Sequence, residues 1–183
     1  NYSYRYNEVG TMIKNELQYE VSQEWVEKFT KTLAAMERDE EAKKKDFLKW
    51  DAGRGAIQCH LEQLQEEIAE YERLINCDKS EPIEIVVENL NKLTDALIKA
   101  RIAAKMSEKE LAEMLGIDEQ RIKEYEDKNY RYASLAEILD ISFALGVEFK
   151  TAVMQVDFEQ IEELKESAKK LHEQRMKKAS KAS

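Results

Sequence analysis

The side chains that could do chemistry in this sequence lie between Ser107 and Arg131, and the chemistry they suit is contact with a polyanion. Gln120 offers an amide that can hydrogen-bond adenine on two edges, and Glu119 or Glu124 can accept from the amino group of cytosine. Ser107, Lys109, Arg121, Lys123, Lys128 and Arg131 stand around them with hydroxyl, ammonium and guanidinium groups for a phosphate backbone. Covalent chemistry finds no such grouping. Ser, His and Asp form no set spaced for nucleophilic catalysis, and Gly53-Arg54-Gly55 is too short to cradle a phosphate. Cys59 and Cys77 lie eighteen positions apart, and the two histidines, His60 and His172, do not cluster with them at metal-ligand spacing. Cys59 and His60 are adjacent in a helical stretch and point about 100° apart. The chain therefore reads as a non-enzymatic protein with no cofactor and no metal.

Two short helices must position the polar group. Leu111, Ala112 and Leu115 repeat at helical spacing before Gly116, and Ile117, Ile122 and Tyr125 repeat after it. Ser107 is placed to cap the first helix and Asp118 the second. A tight turn between them needs positive φ, which Gly116 supplies. Met106 to Asp127 is thus a helix-turn-helix, a unit that commonly holds its second helix out for the major groove. Taken alone it is also compatible with an ordinary α-hairpin. Against the buried Ile122 and Tyr125, helical spacing leaves Glu119, Gln120, Lys123 and Glu124 outward, with Asp127 near the helix end.

The surroundings favour the first reading. Leu93, Leu97, Ala100 and Ala104 share a helical face before the motif. Leu135, Ile138, Leu139, Ser142 and Leu145 keep helical period after it, until Gly146. On Leu97, Arg101, Met106-Ser107, Glu110-Leu111-Ala112, Leu115-Gly116-Ile117, Ile122 and Tyr125-Glu126, the stretch resembles the Cro/C1-type (Xre) family of DNA-binding domains. That family usually has Gln at the first residue of the first motif helix, where an amide helps fix the domain on the backbone; here the residue is Glu108. The resemblance implies a lambda-repressor-like domain and operator DNA as partner.

Composition sets the bounds. The 183 residues suffice for one medium domain or two small ones. Charged residues make up 37%, with five Gly and one Pro, which favours a mainly α protein with long solvated helix faces. Net charge is −9, and Glu88 to Gly146 holds nine Lys and Arg against twelve Asp and Glu. Phosphate contacts supply most non-specific affinity, so this balance weighs against DNA, and a local basic patch must overcome it. No apolar run approaches a membrane span of ~20 residues, and no secretory pattern opens the chain. The expectation is a reduced, cytoplasmic protein; the resemblance implies a bacterial one, nucleoid-associated when bound to DNA.

In chain order, residues 1–21 form an extension with a short strand. Asn1 to Thr11 is tyrosine-rich, Met12 is an alternative initiation point, and Leu17, Tyr19 and Val21 alternate as in a strand. Residues 22–75 read as a helical hairpin or coiled coil. Ser22 caps a helix carrying Val26, Phe29, Leu33 and Met36. The charged run Arg38 to Asp46 is either a turn or a solvated stretch of continuous helix; the turn is placed there. From Phe47 a seam runs through Trp50, Arg54, Ile57, Leu61, Leu64, Ile68, Tyr71 and Ile75 at alternating three and four. Gly53 and Gly55 cost about 1 kcal/mol each in helix propensity without breaking its phase.

Phe47, Trp50, Ile57, Leu61, Leu64, Ile68, Tyr71 and Ile75 are the expected dimerisation or partner seam; the alternative is a hairpin packed within the chain. Residues 76–92 are a linker holding the only proline and a second candidate strand at Ile83, Ile85 and Val87. Residues 93–146 are the helix-turn-helix domain. Residues 147–183 bring a helix opened by Asp157 and Gln160, with Phe158, Ile161, Leu164, Ala168 and Leu171 on one face and a basic tail. MIKNELQYEVSQEWVEKF and HLEQLQEEIAEYERL are similar to Xre proteins with a helical N-terminal half, many of which are antitoxins encoded beside a toxin. That resemblance implies an autoregulating antitoxin with a cognate toxin. The alternative keeps the antitoxin or adaptor role but uses an acidic helix-turn-helix for protein binding.

Overall fold

The computed structural model describes residues 12–181, with side chains to residue 176, and divides after Val147 into two units. The architecture is mainly helical. In the first unit α1 (Glu16–Arg38), α2 (Glu40–Lys45) and α3 (Phe47–Ile75) make a hairpin. A 3₁₀ turn (Leu90–Lys92) leads into α4 (Leu93–Ala103), α5 (Glu108–Leu115), α6 (Glu119–Asp127) and α7 (Leu135–Ala144). The tyrosine-rich extension Asn1 to Thr11 lies outside the described residues.

No strand occurs among the described residues, which corrects both strand expectations. Leu17 to Val21 belongs to α1 because Asn15 caps it, accepting from the Gln18 amide at 2.9 Å, while the Gln18 side chain accepts from the Lys14 amide at 2.9 Å. Ser22, expected as the cap, sits inside that helix. In helical phase the Tyr19 ring packs tilted against Tyr71, with centroids 5.2 Å apart, and Leu17 faces water. Ile83, Ile85 and Val87 do alternate in burial, and Ile83 and Ile85 pack on the core, but the segment forms no ladder. A period of two reported burial here, without a neighbouring edge to pair with.

The charged run does turn the chain. Asp39 and Asp46 each cap the helix that follows, accepting from Ala42 N at 2.9 Å and Lys49 N at 3.1 Å. Trp50 then donates from Nε1 to the Met36 carbonyl at 3.1 Å and ties the start of α3 to the end of α1. Gly53 and Gly55 remain within one continuous α3.

Two apolar clusters hold this unit. In one, Phe29 and Leu33 of α1 meet Leu61 and Leu64 of α3, with Ile57 packed alongside. In the other, Tyr71 and Leu74 of α3 and Ile13 are buried together with Leu97, Ile98, Leu111, Ile122 and Ile141. Ile68 and Ile75 pack against the same cluster. Most of the seam is thus satisfied inside one chain: its upper part by α1, its lower part by the four helices that follow. Trp50 is half-buried and Phe47 exposed.

In α7 the buried face keeps Ile138, Ser142 and Leu145 of the expected one but takes Ile141 in place of Leu135 and Leu139. Ile141 and Ser142 are buried and Ile138 and Leu145 half-buried, whereas Leu135 and Leu139 are 69% and 60% exposed. A short helix rich in apolar residues offers two ladders at spacings of three and four. The choice follows from its first turn, where the Ser134/Glu137 capping box is anchored to α6 through Glu137.

In the second unit, Glu148–Ser183, the described residues form a stretch without regular secondary structure and then α8 (Phe158–Lys181). Asp157 caps α8 as expected, accepting from the Gln160 amide at 2.9 Å.

Candidate nucleic-acid interface

Each end of the motif is fixed by local chemistry. Ser107 accepts from the Glu110 amide at 3.1 Å, and Glu110 accepts from the Ser107 amide at 2.7 Å, closing a capping box. Gly116, at φ 66°, ends α5: its amide bonds the Glu113 carbonyl, and that of Ile117 reaches the Ala112 carbonyl at 3.0 Å. This paired closure needs a left-handed residue, which glycine adopts without strain. Asp118 then caps α6, accepting from the Gln120 amide at 2.7 Å.

The inner face of α6 is Ile122, Tyr125 and Glu126, all buried. Glu126 is the unexpected member. Its carboxylate takes two hydrogen bonds from Arg101, at 2.5 and 2.6 Å, and Arg101 also donates to the Met106 carbonyl at 2.8 Å. One guanidinium therefore ties α4 to α6 and to the segment entering α5. Burial pushes the Glu126 carboxyl up, and the Arg101 pair opposes that shift. Beyond α6, Asn129 and Tyr130 both take positive φ, 48° and 55°, and the Tyr130 ring is buried beside Tyr125 with centroids 5.6 Å apart.

Lys14 reaches this end of α6 from the far end of the sequence. Its Nζ donates to the Glu126 carbonyl at 2.6 Å and to Asn129 Oδ1 at 2.7 Å, placing a cation where the helix dipole is negative. Desolvation lowers its pKa.

The expected contact residues lie on the surface together. Ser107, Lys109, Gln120, Arg121, Glu124, Lys128 and Arg131 are exposed; Glu119 and Lys123 are half-exposed. Their charges are largely engaged with one another. Lys123 pairs with Glu119 at 2.6 Å, Gln120 Nε2 lies 3.5 Å from Glu124, and Lys109 lies 3.9 Å from Glu113. Arg121 donates to the Tyr125 hydroxyl at 2.7 Å and pairs with Glu137 of α7. Glu137 also accepts from Tyr125 at 2.5 Å and from the Ser134 amide at 2.7 Å; the Tyr125 and Ser134 bonds, then Arg121, hold it down at about 2. Lys128 lies over the Tyr132 ring at 5.6 Å.

Sequence reasoning misses Arg101, Glu126, Lys14, Asn129, Tyr130 and Glu137 as parts of this site. Arg101 and Glu126 carry a usable signal. Each is a charge at a core phase of its helix, four residues after Leu97 and after Ile122. Opposite charges on two buried faces satisfy one another. The Lys14 contact spans 112 residues and leaves no mark in any local pattern.

The helix-turn-helix family model matches residues 97–150, from within α4 through α7. No curated protein and no solved structure matches the chain. Residues 97–150 thus match a Cro/C1-type (Xre-like) helix-turn-helix domain, a match that points to a DNA-binding transcriptional regulator. No helix among the described residues is long and apolar enough to cross a membrane.

Proposed function

We propose that the chain is a sequence-specific repressor that binds an inverted-repeat operator as a homodimer, with α6 in the major groove. The observation that carries this reading is the outward face of α6, where Gln120, Glu124 and Asp127 are exposed beside half-exposed Glu119 and Lys123. Gln120 reads adenine and Glu124 cytosine; Lys109, Lys128 and Arg131 lie toward the backbone. Each half-site is weakly held because the domain is acidic. Two copies one helical repeat apart, about 34 Å, supply the missing affinity. Autoregulation as the antitoxin of a toxin–antitoxin pair is supported by the resemblance of the N-terminal half.

A second reading is favoured by one observation: the two cations of α6 are already paired, Lys123 with Glu119 and Arg121 with Glu137. An acidic face of that kind suits a basic protein partner. Selection of duplexes from a randomised pool by the full chain separates the two. Recovery of an inverted repeat supports the repressor. A pool with no enriched motif overturns it and leaves the protein-binding role.

A further inference from the structure

Helix α8 has one apolar stripe, Phe158, Ile161, Leu164, Ala168 and Leu171, and every one of these residues is exposed. Its charge is divided lengthwise. Glu159, Glu162, Glu163 and Glu166, with Lys165 among them, occupy the first half, and Lys169, Lys170 and Arg175, with Glu173 among them, follow in the second. Such a helix is complementary to its own reverse.

We propose that α8 pairs antiparallel with α8 of a second copy and is the contact that makes the dimer. This rests on the dimeric reading above and deepens it, because most of the α3 seam is already occupied within one chain. The stripe has the register that an antiparallel pair requires. With the axis beside Glu166, Ile161 faces the copy's Leu171 and Leu164 faces its Ala168, two layers repeated by symmetry. The same register sets the glutamate-rich half of each helix alongside the copy's Lys169, Lys170 and Arg175. A parallel pair would set glutamates beside glutamates and lysines beside lysines. The glutamates and lysines flank the stripe from its outer side, so they choose the orientation through their field while the apolar layers supply the contact. Lys165 comes near its own copy at the axis, and its ammonium is drawn aside to Glu162 at 2.6 Å.

Sedimentation of the full chain across a concentration series, without DNA, tests the contact. The expected species has twice the 21.4 kDa chain mass, and Leu164→Glu with Leu171→Glu returns it to a single chain with helix content retained. Orientation is read by oxidative crosslinking, over the background set by Cys59 and Cys77 in the parent chain. Ile161→Cys mixed with Leu171→Cys should give at least a fivefold excess of the mixed disulfide over either self-disulfide. A monomer at every concentration, a dimer that survives both glutamates, or an Ile161→Cys self-disulfide as the main product each overturns the proposal. Failure to bind DNA with the dimer intact would count against the repressor alone.

Discussion

Arg101 and Glu126 form a buried two-bond ion pair, with side chains 9% and 2% exposed, at the junction of α4, α5 and α6. Breaking such a pair from one side leaves an unmatched buried charge, at a cost of about 3–5 kcal/mol. Arg101→Ala should therefore lower the urea midpoint severely, whereas Arg101→Met with Glu126→Leu should recover most of the loss. Glu137 makes a different prediction. Its carboxyl is held at about 2 against an ordinary 4.5, so the stability it contributes is complete above pH 4.5 and is lost as pH falls toward 2. Glu137→Gln should flatten the acid limb of a stability–pH curve over that window. The same substitution releases Arg121 from its ion pair. Under the repressor reading it should tighten DNA binding and steepen the dependence of log K on log salt by about 1. Unchanged binding would mean that Arg121 does not face the duplex.

At the scale of elements, what is legible in the sequence follows from turn chemistry. Ser107, Gly116 and Asp118 are local signals, and each acts where its type and spacing place it. The α7 face and the short strand at Leu17 depart from expectation for one physical reason: in both, apolar spacing admits two solutions, and a polar side chain decides. Glu137 bonded to Tyr125 sets the rotation of α7, and Asn15 sets the phase of α1. Two substitutions check the local account in opposite directions. Lys105 ends α4 at φ 53°, where a side chain is strained, so Lys105→Gly should stabilise by about 1 kcal/mol. Gly55 lies inside α3 with open space where a Cβ would stand, so Gly55→Ala should stabilise by about 0.5–1 kcal/mol. Either gain appears as roughly 2–4 °C in Tm, and a loss in either case would contradict the backbone geometry described.

For the whole molecule, the hairpin and the helix-turn-helix share a core through Tyr71, Leu74 and Ile13. The polar connector with the only proline links helices without separating their apolar interiors. This coupling is invisible in the sequence because the seam of α3 satisfies a partner helix and a neighbouring domain with the same three-and-four spacing. It predicts that Tyr71→Ala, although outside residues 97–150, destabilises the helix-turn-helix by about 3–5 kcal/mol. Amide exchange at α5 and α6 should rise together with that of α3. Protection of α6 unaffected by the change would show that the two parts fold independently.

The central claim is that α6 presents Gln120 and Lys123 to DNA. Fluorescence anisotropy of the full chain with a duplex selected from the random pool, at two salt concentrations, tests it most directly. Specific binding should weaken steeply with salt, and Gln120→Ala with Lys123→Ala should bring it down to the level of an unrelated duplex. Equal affinity of parent and double variant for the selected duplex would contradict the claim.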